Sequence, residues 1–304
     1  MNGSEDPPKM GHVPSVSLIM PVFNGAQYLE AAIQSIIAQD FVDWELICVD
    51  DGSIDQSAAI MNRYVSLDSR IRFFQNEKNI GLPATLNCGF AVARGDLHSW
   101  TSDDNILKPQ MLSRLAAELN SDKNLDIVYG GYSVINEADE ISRYVEPRPI
   151  EDRWFCNPVG AAFLYRRKVT EVLEGYDVSL FGAEDYDFWM RAARHFTMRP
   201  IDEDLYLYRR HQESLTNSLS SEIRHKVALV VERELQYVDD RQLRARAYLQ
   251  LVLSDWQAIG WRMTWRAFVS SPVETFRKLP KLVWHLLRVI WHRSRKTFAQ
   301  GKSN

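Results

Sequence analysis

The sequence predicts an α/β protein with a mostly parallel β-sheet flanked by helices on both faces. The first observation is that short apolar runs alternate with amphipathic stretches from about residue 15 to residue 105. The second is that polar clusters follow the apolar runs, as expected for loops at the carboxyl ends of parallel strands. The third is that this alternation ends near residue 220 and is replaced by long helical patterns, which predict a helical extension.

Each predicted strand is a short apolar run, and each predicted helix is an amphipathic stretch that follows one. The strands are predicted at VSLIM (16–20), ELICVD (45–50), IRFFQ (71–75) and LHSWT (97–101). Helical patterns cover residues 25–39 and 55–64, and another begins at Pro83. We therefore divide the chain into a flexible N-terminus (1–14), an α/β domain (15–220) and a helical C-terminal region (221–304).

The composition is that of a globular protein. The 304 residues are 45% hydrophobic and 25% charged, enough for one large core with a smaller appendage. Cys48, Cys88 and Cys156 lie far apart without CxxC spacing, which argues against a disulfide framework and against a zinc site. The segment MNGSEDPPKMGHVPS lacks the apolar core of a secretory signal, and no run of about 18 apolar residues follows it. We therefore expect a cytoplasmic protein.

The charges are unevenly distributed along the chain. Residues 277–304 contain eight Lys or Arg and no acid, which leaves 28 of the 36 basic and all 40 acidic residues in 1–276. Basic residues and histidines recur every three or four positions in 281–296, with apolar residues between them, as in helices on anionic membrane surfaces. A helix packed on the domain with a solvated basic face is the alternative. We expect peripheral contact with the cytoplasmic face of a membrane through 277–304, and no nucleic-acid partner.

Polar loops follow all four predicted strands, at 21–24, 50–53, 76–81 and 102–105. Parallel strands would bring these loops to one edge of the sheet, where ligands bind in such folds. DDGS (50–53) by itself is also a common turn or helix cap. Four such loops at one edge indicate a binding site.

The motifs in these loops resemble those of the family 2 glycosyltransferases, inverting enzymes with the nucleotide-sugar-binding GT-A fold. The resemblance covers about residues 15 to 220 and depends on the order and spacing of several short motifs. These motifs are PVFN (21–24), VDDGS (49–53), NIGLPATLNCG (79–89), ARGD (93–96), SDDN (102–105), EDYDFWMR (184–191) and YRRH (208–211).

The resemblance implies a binding site for a nucleoside diphosphate sugar, with a UDP-sugar favoured. Asp50 is expected to hydrogen-bond the base or ribose, and the PVFN turn to contact the nucleoside. The full set of residues assigned to the donor is Pro21, Phe23, Asn24, Asp50, Asp51, Asn79, Gly81, Asn87, Asp103, Gly160, Arg209 and Arg210.

The two adjacent acids Asp103 and Asp104 need a positive partner, because a sugar diphosphate adds further negative charge. Mg²⁺ or Mn²⁺ between carboxylate and phosphate oxygens would supply it. The family pattern is Asp-x-Asp-Asp, so Ser102 replaces the first acid and Asn105 the last, which leaves Asp104 as the expected metal ligand. Metal-independent binding and simple capping of the helix that starts near Pro109 are the alternatives.

The YRRH motif supplies the other cationic groups of the expected site. His211 is expected to be a metal ligand or a donor to the phosphate, and the arginines to clamp the diphosphate. A basic surface cluster is the alternative.

The family's catalytic base matches Asp185, with Glu184 beside it at the start of a predicted helix. Inversion at an anomeric carbon requires a group that removes the proton of the acceptor hydroxyl, and a carboxylate serves this purpose. Acids at a helix start also answer the helix dipole, which is the expected role of Asp187.

Two functions of different class follow from these residues. The first is a glycosyltransferase that acts on a glycan or lipid-linked acceptor in the synthesis of cell-surface polysaccharide or glycoconjugate. The second is a non-catalytic nucleotide-sugar-binding or scaffold protein with a degenerate metal site. An NAD-binding Rossmann protein is disfavoured, because no GxGxxG follows the first strand.

Overall fold

The computed structural model describes residues 12–211, 220–254, 256–280 and 284. The chain divides into two compact units, 1–220 and 221–304. The first unit contains a nine-stranded mixed sheet. Its strands are β1 (Val16–Val22), β2 (Trp44–Asp50), β3 (Ile71–Gln75), β4 (Leu97–Trp100), β5 (Ile106–Leu107), β6 (Ile127–Ile135), β7 (Ile141–Val145), β8 (Ala162–Arg166) and β9 (Met198–Arg209).

The strand order is β3-β2-β1-β4-β8-β6-β9-β5, and β7 pairs with β6 outside this path. The four strands predicted from the sequence are parallel neighbours at one side of the sheet. On the other side β8 is antiparallel to both β4 and β6, while β9 is parallel to β6. The predicted α/β class is confirmed, and the antiparallel strands make the sheet mixed.

Helices pack on both faces of this sheet. In the described part of the first unit they are α1 (Ala26–Ile37), α2 (Ser57–Leu67), α3 (Leu82–Ala91), α4 (Met111–Ser121), α5 (Arg167–Leu173) and α6 (Glu184–Ala192). Leu18 and Met20 of β1 lie in the core that contains α1 and α4, whereas Ile19 lies in the core that contains α3 and α6. This division follows from the alternation of side chains along a strand. All seven residues of β2 are buried, because both of its faces are covered.

The described residues of the second unit are mostly helical. Its helices are α7 (Ser220–Glu234), α8 (Arg241–Ser254) and α9 (Trp256–Ser270), with a further helical stretch at 272–280. In the described ranges no helix combines the length and apolar character needed to cross a membrane. Most of the basic tail, and the N-terminal segment 1–11, lie outside the described residues.

Candidate active site

The loops after β1 and β2 are joined by hydrogen bonds. Asn24 adopts a positive φ of 52°, and its backbone N–H donates to Ser53 Oγ over 2.9 Å. The Ile54 backbone N–H donates back to Asn24 Oδ1, also over 2.9 Å. Pro21 pairs with Val49 at the end of β1, while Phe23 at the tip of the turn is 50% exposed. The structure thus provides a fixed turn with one exposed aromatic ring, as the predicted nucleoside contact requires.

Asp50 and Asp51 differ in what their carboxylates hold. Asp50 is buried, and it accepts hydrogen bonds from Gln75 Nε2 at 2.8 Å and from the Ser53 backbone N–H at 3.1 Å. Asp51 accepts three bonds of 2.9 Å from the loop after β3. The donors are Asn76 Nδ2 and the backbone N–H groups of Ile80 and Gly81. Both oxygens of Asp51 thus shape this loop, and its contact with the donor stays a prediction.

The loop after β3 also contains Asn79, whose Oδ1 accepts from the Gly81 N–H at 3.1 Å. Asn87 lies farther along, on α3, and its amide makes reciprocal 2.8 Å bonds with the backbone of Tyr176. One bond is donated to the carbonyl and the other is accepted from the N–H. The amide of Asn87 thus ties α3 to the chain near Tyr176, and its contact with the donor stays a prediction.

Asp103 points back toward the turn after β1. The Phe23 N–H donates to Asp103 Oδ2 over 3.4 Å, and a Cβ placed on Gly25 would lie 1.9 Å from the same oxygen. Position 25 therefore has to be glycine for the carboxylate to lie there. Burial and the neighbouring Asp104 raise the pKa of Asp103 to about 7. This carboxylate joins the acidic loop (102–105) to the turn predicted to contact the nucleoside (21–24).

Asp104 and His211 are brought together, as the predicted metal site requires. His211 Nε2 lies 3.1 Å from Asp104 Oδ2, and the ring of Tyr28 lies 5.5 Å from the imidazole. Asp104 Oδ1 is buried without a hydrogen-bond partner among the described residues. Burial raises the pKa of Asp104, and His211 acts in the opposite direction.

These two side chains fit a divalent metal that shares its coordination with a diphosphate. A carboxylate and an imidazole are suitable ligands, and Mg²⁺ normally completes its shell with waters and substrate phosphates. The unengaged Asp104 Oδ1 is an oxygen available for this purpose. The described part of the chain contains no cluster of three or more His, Cys, Asp or Glu that would hold a metal by itself.

The adjacent arginines of the YRRH motif have opposite environments. Arg209 is 2% exposed, stacks on Tyr28 at 4.5 Å, and donates to the carbonyl oxygens of Asp104 and Asn136 at 2.8 and 3.1 Å. Its guanidinium also lies 2.5 Å from Asp139. These contacts hold the acidic loop (102–105) in place, and the diphosphate clamp predicted for Arg209 stays a prediction that this geometry does not support. Arg210 is exposed and remains a candidate for the clamp.

Asp185 lies in the first turn of α6. Asn157 Nδ2 donates to Asp185 Oδ2 over 2.9 Å, and burial raises the pKa of this carboxyl. Glu184 is 4% exposed and folds back to accept a bond from the Gly182 N–H, which shapes the turn before the helix. Asp187 is fully buried and pairs with Arg191 at 2.8 Å. Of these acids, Asp185 is the one that neither forms an ion pair nor shapes the turn before the helix, and its role as the base stays a prediction.

A cavity of about 460 Å³ lies next to Asn157. Gly160 lines it with a φ of +66°, and a Cβ at this position would lie 2.6 Å from the ring of Tyr132. Gly160 thus shapes the cavity wall. It is the one predicted donor-binding residue among those that line this cavity. The other lining residues are Gly130, Tyr132, Arg143, Tyr144, Val145, Glu146, Pro147, Arg148, Cys156, Asn157, Pro158 and Val159.

Two features of this site were not among the predicted site residues. Tyr28 supports both Arg209 and His211, but in the sequence it is an ordinary aromatic residue of an amphipathic helix. The segment 143–148 supplies much of the cavity wall, yet β7 is a short, largely exposed strand without a recognisable motif. The spacing of residues along the sequence contains no signal for either contribution.

Comparisons with known proteins agree with this architecture. The family model described as Glycosyl transferase family 2 matches residues 17–173, about half of the chain. An uncharacterized glycosyltransferase of Rickettsia felis is 32% identical over 231 residues, which cover 71% of this chain and 38% of that protein. The chain therefore spans less than two fifths of this relative's length.

Among solved structures, S. aureus TarS 1-349 in complex with UDP-GlcNAc superimposes with a TM-score of 0.66 at 17% identity, covering 89% of this chain and 81% of that one. The mannosyltransferase PcManGT from Pyrobaculum calidifontis, in complex with GDP-Man and Mn²⁺, gives a TM-score of 0.55 at 15% identity, covering 93% and 88%. These likenesses show the GT-A fold, and the extent of the family match identifies the chain as a member of glycosyl transferase family 2.

Proposed function

We propose that this glycosyltransferase moves a sugar from a UDP-sugar to a hydroxyl of a glycan or lipid-linked acceptor, with inversion, in the synthesis of cell-surface polysaccharide or glycoconjugate. The observation that carries the proposal is the carboxylate of Asp185, which is held by Asn157 at 2.9 Å beside a cavity of about 460 Å³. A base in this position can remove the acceptor proton as the hydroxyl attacks the anomeric carbon.

The donor side is supported by the joined loops after β1 and β2. Phe23 presents an exposed ring for the nucleoside, and the buried carboxylate of Asp50 holds the loop after β2 through Gln75 and the Ser53 N–H. TarS, which has been solved with UDP-GlcNAc, supports the preference for UDP. Asp104 and His211 would hold a Mg²⁺ or Mn²⁺ ion, which stabilises the charge of a leaving diphosphate when bound.

The donor proposal is tested by thermal unfolding with a panel of nucleotides and nucleotide sugars, each with and without Mn²⁺. A ligand that binds only the folded chain adds about 2.7 kcal/mol of stability at one hundred times its Kd. We expect UDP and at least one UDP-sugar to raise the Tm, and Mn²⁺ to increase the shift. If no nucleoside diphosphate raises the Tm under either condition, the proposed donor class is wrong.

Peripheral membrane contact through 277–304 is part of the proposal. It is supported by the eight cations and no acids of that segment, and by exposed tryptophans on the preceding helix, Trp261 at 81% and Trp265 at 61%. Deleting 277–304 should release the protein from vesicles of anionic lipid while leaving the Tm shift with UDP unchanged. Equal sedimentation of the full and truncated chains with these vesicles would refute the contact.

A further inference from the structure

The cavity beside Asp185 is connected directly to the proposed base. Asn157 lines the cavity and donates to the Asp185 carboxylate, so a group bound there lies one side chain from the atom that would accept the proton. Asp185 also acts electrostatically on the hydroxyl of Tyr132, another lining residue. If the proposed function holds, this cavity is where the acceptor binds.

Two polar groups in the cavity wall have no hydrogen-bond partner among the side chains that the structure describes. The guanidinium of Arg143 makes no hydrogen bond or ion pair with the described residues, although most arginines of this domain are paired. The hydroxyl of Tyr132 likewise has no hydrogen-bond partner within the described ranges. Burial and Tyr208 raise the pKa of this phenol, and Arg143 and Arg210 oppose that change. Arg143 and Tyr132 are diagonal neighbours across β7 and β6, since Tyr132 pairs with Val145 and Val134 pairs with Arg143.

The charged residues that line the cavity carry more positive than negative charge, and the charge of Arg143 is not balanced by an acid. Arg148 lines the cavity as well, but it is shared with Asp152 at 3.6 Å. Glu146 is the acid among the lining residues, and it acts on Arg148 and on Tyr144. A guanidinium with no counter-ion beside a phenol hydroxyl offers a positive charge and several hydrogen-bond donors, which together suit an oxyanion.

We propose that this cavity binds an anionic group of the acceptor, through the guanidinium of Arg143 and the hydroxyl of Tyr132. The group is a phosphate, as in a phosphate-bearing glycan or lipid phosphate, or the carboxylate of an acidic sugar. Phosphate is tetrahedral and carboxylate is planar, and an arginine binds the oxygens of either group with charge-assisted hydrogen bonds. The cavity would thereby select an acidic acceptor and place one of its hydroxyls beside Asp185. This inference rests on the proposed function, because it assigns the substrate of the same site.

The test uses the full chain saturated with UDP and Mg²⁺, so that a small anion cannot occupy the diphosphate site. Glycerol phosphate, glucuronate and the neutral methyl glucoside are titrated separately and followed by NMR chemical shifts and calorimetry. We expect one or both anions to bind and the neutral sugar to bind less tightly. Binding of only one anion identifies whether phosphate or carboxylate is the recognised group.

Variants then locate the binding. Arg143→Gln should lower the affinity for the anion about tenfold or more, because a charge-assisted hydrogen bond is lost. Arg143→Lys should retain part of that affinity. The matched control is Arg63→Gln, which removes a half-exposed arginine that pairs with Glu30 on the surface, and it should change nothing. UDP affinity should be equal in all of these proteins.

The outcomes separate this inference from the proposed function. If UDP binds and neither anion does, or if Arg143→Gln binds the anion as tightly as the parent, the anionic subsite is refuted and the donor proposal survives. If UDP itself fails to bind, the proposed function is wrong, and the inference that depends on it is overturned with it.

Discussion

The donor side and the acceptor side of the site differ in what their polar groups do before any ligand arrives. On the donor side Asn24, Asp50 and Asp51 are engaged with neighbouring loops by bonds of 2.8–3.1 Å. On the acceptor side Arg143 and the Tyr132 hydroxyl make no such bonds with the described residues. The donor loops are thus preorganised, whereas the acceptor side leaves charge to be satisfied by substrate. Substitutions should separate accordingly into losses of structure and losses of binding or rate.

The largest expected effect is on the chemical step. Asp185→Asn keeps the size of the side chain and the bond with Asn157, but the amide cannot accept the hydroxyl proton. We expect transfer to fall by on the order of 10²–10⁴ while UDP affinity and Tm stay at the values of the parent. The measurement is single-turnover transfer with saturating donor.

Glu184→Gln is the matched control for this substitution. Glu184 accepts from the Gly182 N–H in the turn before α6, so its replacement should cost less in rate than that of Asp185. If Asp185→Asn transfers sugar at the rate of the parent, Asp185 is not the base. Non-catalytic binding then becomes the better account of this site.

The pH dependence of transfer provides a second check on Asp185. A base must be deprotonated to accept a proton, and burial raises the pKa of this carboxyl. Activity should therefore fall with decreasing pH at a higher pH than for an ordinary aspartate. An acid limb of kcat/KM at the usual aspartate pKa, or its persistence in Asp185→Asn, would assign that limb to another group.

The next effect concerns the metal. Asp104→Ala removes the carboxylate whose Oδ1 is buried without a partner in the described structure, and it should weaken Mn²⁺-dependent UDP binding by on the order of 10²-fold. His211→Ala should weaken it in the same direction. Calorimetry with Mn²⁺ and with EDTA measures both. If Asp104→Ala retains the response of UDP affinity to Mn²⁺, the metal assignment is wrong.

The sequence predicts those parts of the fold and site that depend on local patterns, and it does not predict contacts between residues far apart in the chain. The strands β1 to β4 were predictable because each is a short apolar run, although β3 is only partly buried. The proximity of Asp104 and His211 was predictable because motif spacing identifies both residues. Asn87 was not predictable, since its partner Tyr176 is 89 residues away. Asp51 resembles a ligand in the sequence, but its partners are in a loop whose path depends on the sheet.

The YRRH motif shows that even the roles of two adjacent residues can be unpredictable from the sequence. Arg209 and Arg210 are neighbours at the end of β9, and successive side chains of a strand point to opposite faces. The sequence does not specify which of the two is buried. The structure assigns Arg209 to the interior and Arg210 to the surface, and this difference leads to the smallest of the expected effects.

Arg209→Ala should lower the free energy of unfolding by about 2 kcal/mol, because the carbonyl oxygens of Asp104 and Asn136 lose a charged donor. Its bond to Asp139 adds little, since the Asp139 side chain is 63% exposed. Arg210→Ala should change stability by less than about 0.5 kcal/mol and instead weaken UDP binding. Urea unfolding and UDP titration of both variants test this pair. If Arg210→Ala is the less stable of the two, the assignment of interior and surface roles is reversed. If both variants retain full stability, the side chain of Arg209 does not hold the acidic loop.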